Sequence, residues 1–298
     1  MTKETIGMTA RRFAVELLPP FTKRILLGGR DHVVDVIART RVRLGHLGPL
    51  PTFIIIGAGK SGTTYLYDRL TEHPLIYRSL VKEPHFFRHN YKKGLAWYRA
   101  HFFSPGWNTM QGAITGEASG GMFYPHAPRR VRDVVPDTKL IVILRNPIDR
   151  AYSHHLHEVR LGFECLSFEE AIEAEPRRLE GETSKVVTDE AYYSFAWRHY
   201  AYVSKGMYWK ALEAWLSYFR RDQLFIMKSE DFYANPALIL REVTEFLDLP
   251  DWQPSPYRGH KAYPYEPMNP AIRSRLASHY APHNERLYEI VGRDWGWD

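Results

Sequence analysis

The chain has 298 residues, of which 44% are hydrophobic and 25% are charged. This composition excludes a disordered chain and is sufficient for a substantial buried core. The single cysteine, Cys165, excludes an intrachain disulfide and indicates a reducing compartment. No segment approaches the roughly 18 uninterrupted apolar residues of a membrane span, and the first residues lack the apolar region of a secretory signal. We therefore expect a cytoplasmic protein.

The positive charge is concentrated near the N-terminal end. Residues 1–50 hold nine Lys/Arg against four Asp/Glu, a charge of +5 out of a formal net charge of +6 for the whole chain. We predict that they form a basic helical extension, interrupted at Pro19-Pro20 and at Gly28-Gly29. Such an arm either packs on the main domain or makes peripheral contact with an anionic membrane surface. Because the excess charge lies in the arm and no recognition motif is present, nucleic-acid binding is not expected.

The remaining residues, 51–298, are predicted to form one domain in which strands and helices alternate. Short apolar runs rich in β-branched residues predict buried strands at 53–56, 139–144 and 223–227. Helical patterns cover residues 64–72, 147–160, 208–220 and 236–247. This alternation is typical of an α/β fold with a mostly parallel sheet flanked by helices.

A glycine-rich loop joins the first strand to its helix. Glycines in this position let the backbone wrap closely around an anion, and the first N–H groups of the helix point towards it. Lysine adds a mobile positive charge, and the hydroxyl groups add hydrogen-bond donors. The candidate phosphate-binding residues are Gly59, Lys60, Ser61, Gly62, Thr63 and Thr64.

This loop is P-loop-like but departs from the GxxxxGK[ST] pattern of nucleoside triphosphatases. Gly57 and Gly62 have the correct spacing, yet Thr63 occupies the lysine position and Lys60 lies inside the loop. The second strand is followed by Arg145, where a triphosphatase would have an acidic residue for Mg²⁺. A donor with one 5′-phosphate bearing a sulfuryl group requires neither the metal nor the γ-phosphate machinery. A nucleotide kinase or ATPase, and a catalytically silent nucleotide-binding module, remain as alternatives, and the scattered histidines predict no metal site.

These motifs resemble those of the 3′-phosphoadenosine-5′-phosphosulfate (PAPS)-dependent sulfotransferases, and most of all the carbohydrate branch acting on glycosaminoglycans. Residues 53–64 resemble the family's 5′-phosphosulfate loop, and residues 144–153 resemble its 3′-phosphate motif. Residues 82–87, Lys-Glu-Pro-His-Phe-Phe, match the segment that carries the catalytic base in that branch. The resemblance implies that PAPS is the co-substrate, that 3′-phosphoadenosine-5′-phosphate is the product and that the acceptor bears a hydroxyl group. The absence of disulfides suggests a bacterial-like member.

The second motif has its own physical logic. Arg145 follows a buried strand, so its guanidinium should emerge at the edge of the sheet where α/β proteins bind ligands. Its planar fork matches two phosphate oxygens, and Ser153, eight residues further on, is the second predicted phosphate ligand. Lys261, in a basic loop near the C-terminal end, is predicted to close over the nucleotide.

Sulfuryl transfer needs charge stabilisation at the donor and a base for the incoming hydroxyl. Lys60 is the predicted catalytic cation. Glu83 is the predicted base, with His85 as an alternative and Glu117 as a weaker one. We expect desolvation beside the aromatic run to raise the pKa of Glu83, with Lys82 opposing that shift. The identity of the acceptor and the oligomeric state stay open.

Overall fold

The computed structural model describes residues 20–104, 106, 110–255 and 266–297. Its five strands are β1 Phe53–Gly57, β2 Ile76–Arg78, β3 Ile114–Glu117, β4 Lys139–Leu144 and β5 Leu224–Lys228. The α-helices of the described residues, in chain order, are α1 Pro20–Arg43, α2 Thr63–Leu70, α3 Leu95–Arg99, α4 Ala127–Val134, α5 Pro147–Leu161, α6 Phe168–Arg178, α7 Glu182–Thr188, α8 Phe195–His199, α9 Tyr208–Leu216, α10 Ser229–Ala234, α11 Pro236–Phe246 and α12 Pro270–Val291.

The five strands form one parallel sheet in the order β2-β3-β1-β4-β5. β1 and β4 lie in the interior of the sheet. Their residues are almost wholly apolar and buried, as expected for strands covered on both faces. Since all strands are parallel, their carboxyl ends lie along one edge. The loops that follow β1, β3 and β4 therefore meet there, at the edge where open α/β sheets bind ligands.

Helices cover both faces of the sheet, and alternate residues of the central strands point to opposite sides. One face buries Ile54 and Val142 against helices that include α4, α9 and α12. The other face buries Ile55 and Ile143 against α2 and α11. The α/β fold with a parallel sheet flanked by helices is therefore as predicted.

The predicted elements agree closely with the observed ones where the apolar runs are long. The strand at 139–144 coincides with β4, and the strand predicted at 223–227 lies one residue further along, at Leu224–Lys228. The helix predicted over 208–220 ends earlier, at Leu216, where two backbone N–H groups turn back to the Trp215 carbonyl. The edge strand β2 was not predicted because its three residues are too short to show a periodicity.

The described part of the N-terminal extension is one continuous helix that packs on the domain. The predicted interruption at Gly28-Gly29 is wrong, because α1 runs through both residues. A glycine disfavours a helix by about 1 kcal/mol relative to alanine but keeps its backbone donor, so no hydrogen bond is lost. Ala38 is fully buried, and Asp35 accepts hydrogen bonds from Lys93 Nζ at 2.7 Å and Trp97 Nε1 at 2.9 Å. From Pro20 onwards, the described helices include none long and apolar enough to span a bilayer.

Candidate functional site

The glycine loop lies where β1 ends and α2 begins, and its backbone is held by neighbouring loops. The Ala58 N–H donates to the Ile143 carbonyl of β4 at 2.7 Å, and Ser229 Oγ donates to the Ser61 carbonyl at 2.8 Å. Gly62 has a φ of 105° and begins α2, and no described side chain caps this helix start. The backbone donors of the first helical turn are therefore left for a ligand.

Lys60 lies at the turn of this loop in the left-handed region, with a φ of 73°. Its side chain is half-buried, and burial lowers its pKa to about 8, while the carboxylate of Glu158 opposes that shift. The ammonium therefore remains largely protonated at neutral pH. Glu83 is another of the charges that act on it.

Ser61 is a further sign of an anion site in this loop. Its side chain is buried, and its hydroxyl has no hydrogen-bond partner among the described residues. A buried hydroxyl without a partner costs free energy, so a ligand oxygen would satisfy it. Thr64 differs, because its Oγ1 accepts a hydrogen bond from Lys82 Nζ at 2.6 Å.

Arg145 directly follows β4, the neighbour of β1, so it lies at the same edge as the glycine loop. Its side chain is half-buried and its carbonyl accepts a hydrogen bond from the Tyr208 hydroxyl at 2.8 Å. Asn146 caps α5 by accepting from the Ile148 N–H at 3.0 Å. Ser153 lies two turns into α5 and is half-buried. The predicted Lys261 lies outside the described residues.

The predicted acceptor segment follows β2 and runs past the end of β3. The Lys82 carbonyl accepts from the Ala118 N–H at 2.9 Å, which fixes the segment beside β3. Lys82 Nζ is ion-paired with Glu83 Oε1, and Glu83 Oε2 lies 3.3 Å from His85 Nε2. The Glu83 side chain is 39% exposed.

The pKa of Glu83 is lowered, which corrects the expected upward shift. Burial raises the pKa, but the positive charge of Lys82, the contact with His85 and the guanidinium of Arg88 together outweigh it. Glu83 is therefore ionised at neutral pH. A carboxylate in this state can accept a proton at once, without first losing its own.

His85 lies between two hydrogen-bond acceptors. Its Nδ1 is 3.3 Å from the Ser119 carbonyl, and its Nε2 faces Glu83. Burial and, after it, the charge of Arg88 lower its pKa to about 4, so the ring is neutral at pH 7 and carries one proton. With that proton on Nδ1 and donated to the Ser119 carbonyl, Nε2 is an acceptor, and it can bond to Glu83 only when that carboxyl group is protonated.

Glu117 is linked to the acceptor segment through Ser119 and is not exposed to solvent. It ends β3, is fully buried, and accepts hydrogen bonds from the Tyr98 hydroxyl at 2.5 Å and from Ser119 Oγ. The same Ser119 Oγ lies 2.9 Å from the backbone nitrogen of His85. Burial raises the pKa of Glu117 to about 7. Of the two carboxylates, only Glu83 is exposed to solvent.

Several charged residues of this region were not foreseen. Glu158, buried on α5, lies between His154 Nε2 at 3.3 Å and His199 Nδ1 at 2.7 Å. The His154–Glu158 spacing of four residues on a helix was visible in the sequence, but the contact with His199 joins two distant helices. Lys205 is half-buried, and burial lowers its pKa to about 7, with Arg150 acting in the same direction.

Two arginines add positive charge around the acceptor segment. Arg88 lies in the π-helical turn Phe86–Asn90, directly after Phe86 and Phe87, and its charge acts on Glu83 and His85. Arg198, on α8, acts on both Arg88 and His85. Sequence spacing does not show that α8 approaches this turn. Within the described residues, no group of three or more His, Cys, Asp and Glu side chains could hold a metal ion.

Comparison with known proteins identifies the family of this chain. Residues 50–261 match the sulfotransferase domain family. The chain is 30% identical over 281 residues to heparan sulfate glucosamine 3-O-sulfotransferase 6 of Mus musculus, covering 83% of this chain and 74% of that protein. It is also 30% identical over 284 residues to bifunctional heparan sulfate N-deacetylase/N-sulfotransferase 4 of Mus musculus, covering 82% of this chain and 30% of that protein.

A solved structure shows the same architecture. The sulfotransferase from Alicyclobacillus acidocaldarius superimposes with a TM-score of 0.67 at 30% identity, covering 84% of this chain and 99% of that one. The family match extends over more than half of the chain, and it includes the glycine loop, the acceptor segment and Arg145. The chain therefore belongs to the sulfotransferase family, whose members use PAPS as the sulfuryl donor.

Proposed function

We propose that this protein transfers a sulfuryl group from PAPS to a hydroxyl group of a carbohydrate or a related alcohol. The observation that carries the proposal is that the glycine loop and the acceptor segment meet at the carboxyl edge of the parallel sheet, where Lys82 Nζ donates to Thr64 Oγ1 at 2.6 Å and the Glu83 carboxylate acts on the charge of Lys60. A cation on the donor side and an ionised carboxylate on the acceptor side are what an in-line displacement requires. The relatives named for heparan sulfate support a carbohydrate acceptor.

In this proposal the glycine loop holds the 5′-phosphosulfate. The backbone N–H groups at the start of α2 and the hydroxyl of Ser61 would bind its oxygens, and Lys60 would neutralise the charge that develops on the leaving phosphate. Arg145 and Ser153 would bind the 3′-phosphate, because a guanidinium offers two parallel donors to phosphate oxygens. Lys261 remains a predicted donor contact.

Glu83 is the proposed base. As the acceptor oxygen forms its bond to sulfur, the hydroxyl proton moves to the Glu83 carboxylate and the bond from sulfur to the donor phosphate breaks. With the ring proton on Nδ1, His85 Nε2, 3.3 Å away, accepts a hydrogen bond from the protonated Glu83 carboxyl group. His85 is thereby a positioning residue for the base.

The charge near Glu83 favours a hydroxyl acceptor over an amine. An amine is protonated at neutral pH, and the positive charges of Lys82, Arg88 and Arg198 would disfavour an ammonium group there. The same charges favour an acceptor that carries carboxylate or sulfate groups. This preference for a hydroxyl acceptor favours one of the two activities named for the relatives, because one relative is an O-sulfotransferase and the other an N-sulfotransferase.

A screen with radiolabelled PAPS tests the proposal. Acceptors should include anionic and neutral oligosaccharides, each with free hydroxyls, and matched sugars with a free amine. We expect label on hydroxyl-bearing anionic acceptors, with Glu83→Gln as the inactive control. Label only on the amine-bearing sugars would overturn the hydroxyl assignment. Tighter binding of ATP with Mg²⁺ than of 3′-phosphoadenosine-5′-phosphate would contradict the donor assignment.

A further inference from the structure

The outer face of α1 carries an apolar stripe with no described covering element. Val33, Val36, Ile37 and Leu44 are 56%, 49%, 37% and 62% exposed. At about 100° per residue, Val33, Ile37 and Leu44 fall within about 40° of one another around the helix, with Val36 about 60° to one side. The Leu44 N–H bonds to the Thr40 carbonyl at 3.0 Å, so the stripe continues into the turn that ends the helix.

The opposite face of α1 is fixed to the domain. Ala38 is fully buried, Asp35 bonds to Lys93 and Trp97, and Arg41 Nη1 donates to the Ala100 carbonyl at 2.9 Å. Around the helix, Ala38 and Asp35 lie about 140° and 160° from Val33. The apolar stripe therefore faces solvent because the packed face holds the helix in this orientation.

Charge around the stripe is positive. Residues 20–47 contain six Lys/Arg and two Asp, which gives +4. Asp35 is on the packed face, where Lys93, Trp97 and, at 2.6 Å, Arg39 Nε bind it. The Arg39 side chain is still 60% exposed despite this ion pair, and Arg43 is exposed on the same flank of the stripe. Asp31 is exposed, about 160° around the helix from Val33 and therefore on the packed side. The outward surface thus combines exposed aliphatic side chains with flanking arginines.

We propose that this face of α1, defined by Val33, Val36, Ile37 and Leu44 with Arg39 and Arg43, docks on an anionic lipid bilayer. An interfacial helix has this form, with aliphatic side chains in the acyl boundary and cations at the headgroups. Arginine stems can lie along the apolar surface while their guanidinium groups reach the headgroups. A second copy fits less well, because a two-fold contact through this face would bring like charges together. The inference does not depend on the proposed function.

Vesicle flotation with the full chain tests the proposal. Vesicles of phosphatidylcholine with about a third phosphatidylserine should carry the protein, whereas pure phosphatidylcholine should not. Raising the salt should release it, because the Debye length falls from about 10 Å at 0.1 M to about 3 Å at 1 M. Equal binding to both vesicle types, or no binding to the anionic vesicles at low salt, would overturn the proposal.

Substitutions in α1 test whether this face makes the contact with the vesicles. The triple variant Val33→Ser/Ile37→Ser/Leu44→Ser should reduce the partition coefficient about tenfold or more, since each change removes aliphatic surface from the acyl boundary. Arg43→Glu should reduce it too, and most strongly at low salt. The matched control Val187→Ser/Leu238→Ser changes side chains that are 50% and 39% exposed, on α7 and α11, and should bind normally.

Thermal melts and light scattering complete the test. All variants should melt close to the parent, since the changed side chains are exposed. If the triple variant floats like the parent, the stripe is not the contact. If instead the parent forms a dimer that the triple variant loses, and neither floats, the face is a self-association surface and the lipid proposal is wrong.

Discussion

The glycine loop at residues 57–64 and the acceptor segment at residues 82–90 contact each other through Lys82 and Thr64 but are held in different ways. The loop is positioned by strand order and by backbone hydrogen bonds, such as that from the Ala58 N–H to the Ile143 carbonyl. The acceptor segment is positioned by buried side chains that come from distant places, namely Glu117, Ser119 and Tyr98. A sequence motif can predict the first arrangement, whereas the second depends on how side chains from distant parts of the chain pack together. Substitutions in the two regions should therefore have different measurable effects on the protein.

The largest effect is expected at Glu83, on turnover alone. General-base catalysis contributes about 10²–10⁴-fold, so Glu83→Gln should lower turnover on that scale with the best acceptor from the screen. Affinity for 3′-phosphoadenosine-5′-phosphate, measured by calorimetry, should stay nearly unchanged because Glu83 meets the acceptor. The surface change Glu173→Gln, which removes one partner of an exposed ion pair with Arg275, serves as the control. Near-normal turnover in Glu83→Gln, together with loss in His85→Gln, would make the histidine the base.

A substitution on the donor side should instead lower the affinity for the nucleotide. Arg145→Ala should weaken binding of 3′-phosphoadenosine-5′-phosphate about 10- to 100-fold, since a hydrogen bond to a charged group contributes roughly 1.5–3 kcal/mol. Calorimetry in the presence of a chelator measures this without any acceptor. Arg275→Ala on the surface should bind normally. An unchanged affinity in Arg145→Ala would remove this residue from the donor site and weaken the contrast between the two regions.

The free energy of unfolding should depend on pH through Glu117, the buried carboxyl group linked to the acceptor segment. Its pKa is raised in the fold to about 7, so protonation favours the native state. That contribution is complete below the ordinary glutamate pKa and is lost as pH rises through about 7. Between pH 5 and pH 8 we expect the free energy of unfolding to fall by about 1–3 kcal/mol from this group. Urea denaturation should show this fall in the parent and a flatter profile in Glu117→Gln. Parallel profiles would mean that Glu117 does not titrate in this range.

The smallest expected effect concerns the glycine loop backbone. Gly62 has a φ of 105°, and a Cβ there would lie 2.9 Å from the Tyr233 hydroxyl oxygen. Gly62→Ala should therefore lower the free energy of unfolding by about 1–2 kcal/mol. Gly59→Ala is the matched control, because a Cβ at Gly59 meets no atom within 4 Å, and it should change stability by less than about 0.5 kcal/mol. Equal urea midpoints for the two variants would contradict the proposed strain.

The donor half of the site was predictable because its parts are local in the chain. Phe53–Gly57 and Lys139–Leu144 are apolar enough to be recognised as buried strands, and the residues that follow them must emerge at one edge of a parallel sheet. The sequence therefore predicts that Lys60 and Arg145 lie at the same edge of the sheet. The same reasoning gave the α/β architecture, since alternating strand and helix patterns have few packing solutions.

What only the tertiary structure decided is the electrostatics of the acceptor half. Glu83 was predicted as the base, but the sign of its pKa shift depends on how close Lys82, His85 and Arg88 come to it, and the cations outweigh burial. Sequence likewise does not show that His199 on α8 reaches Glu158 on α5. The physical reason is that Coulomb energy and desolvation depend on distances through space and on burial, whereas periodicity and motif spacing record only the order of residues along the chain.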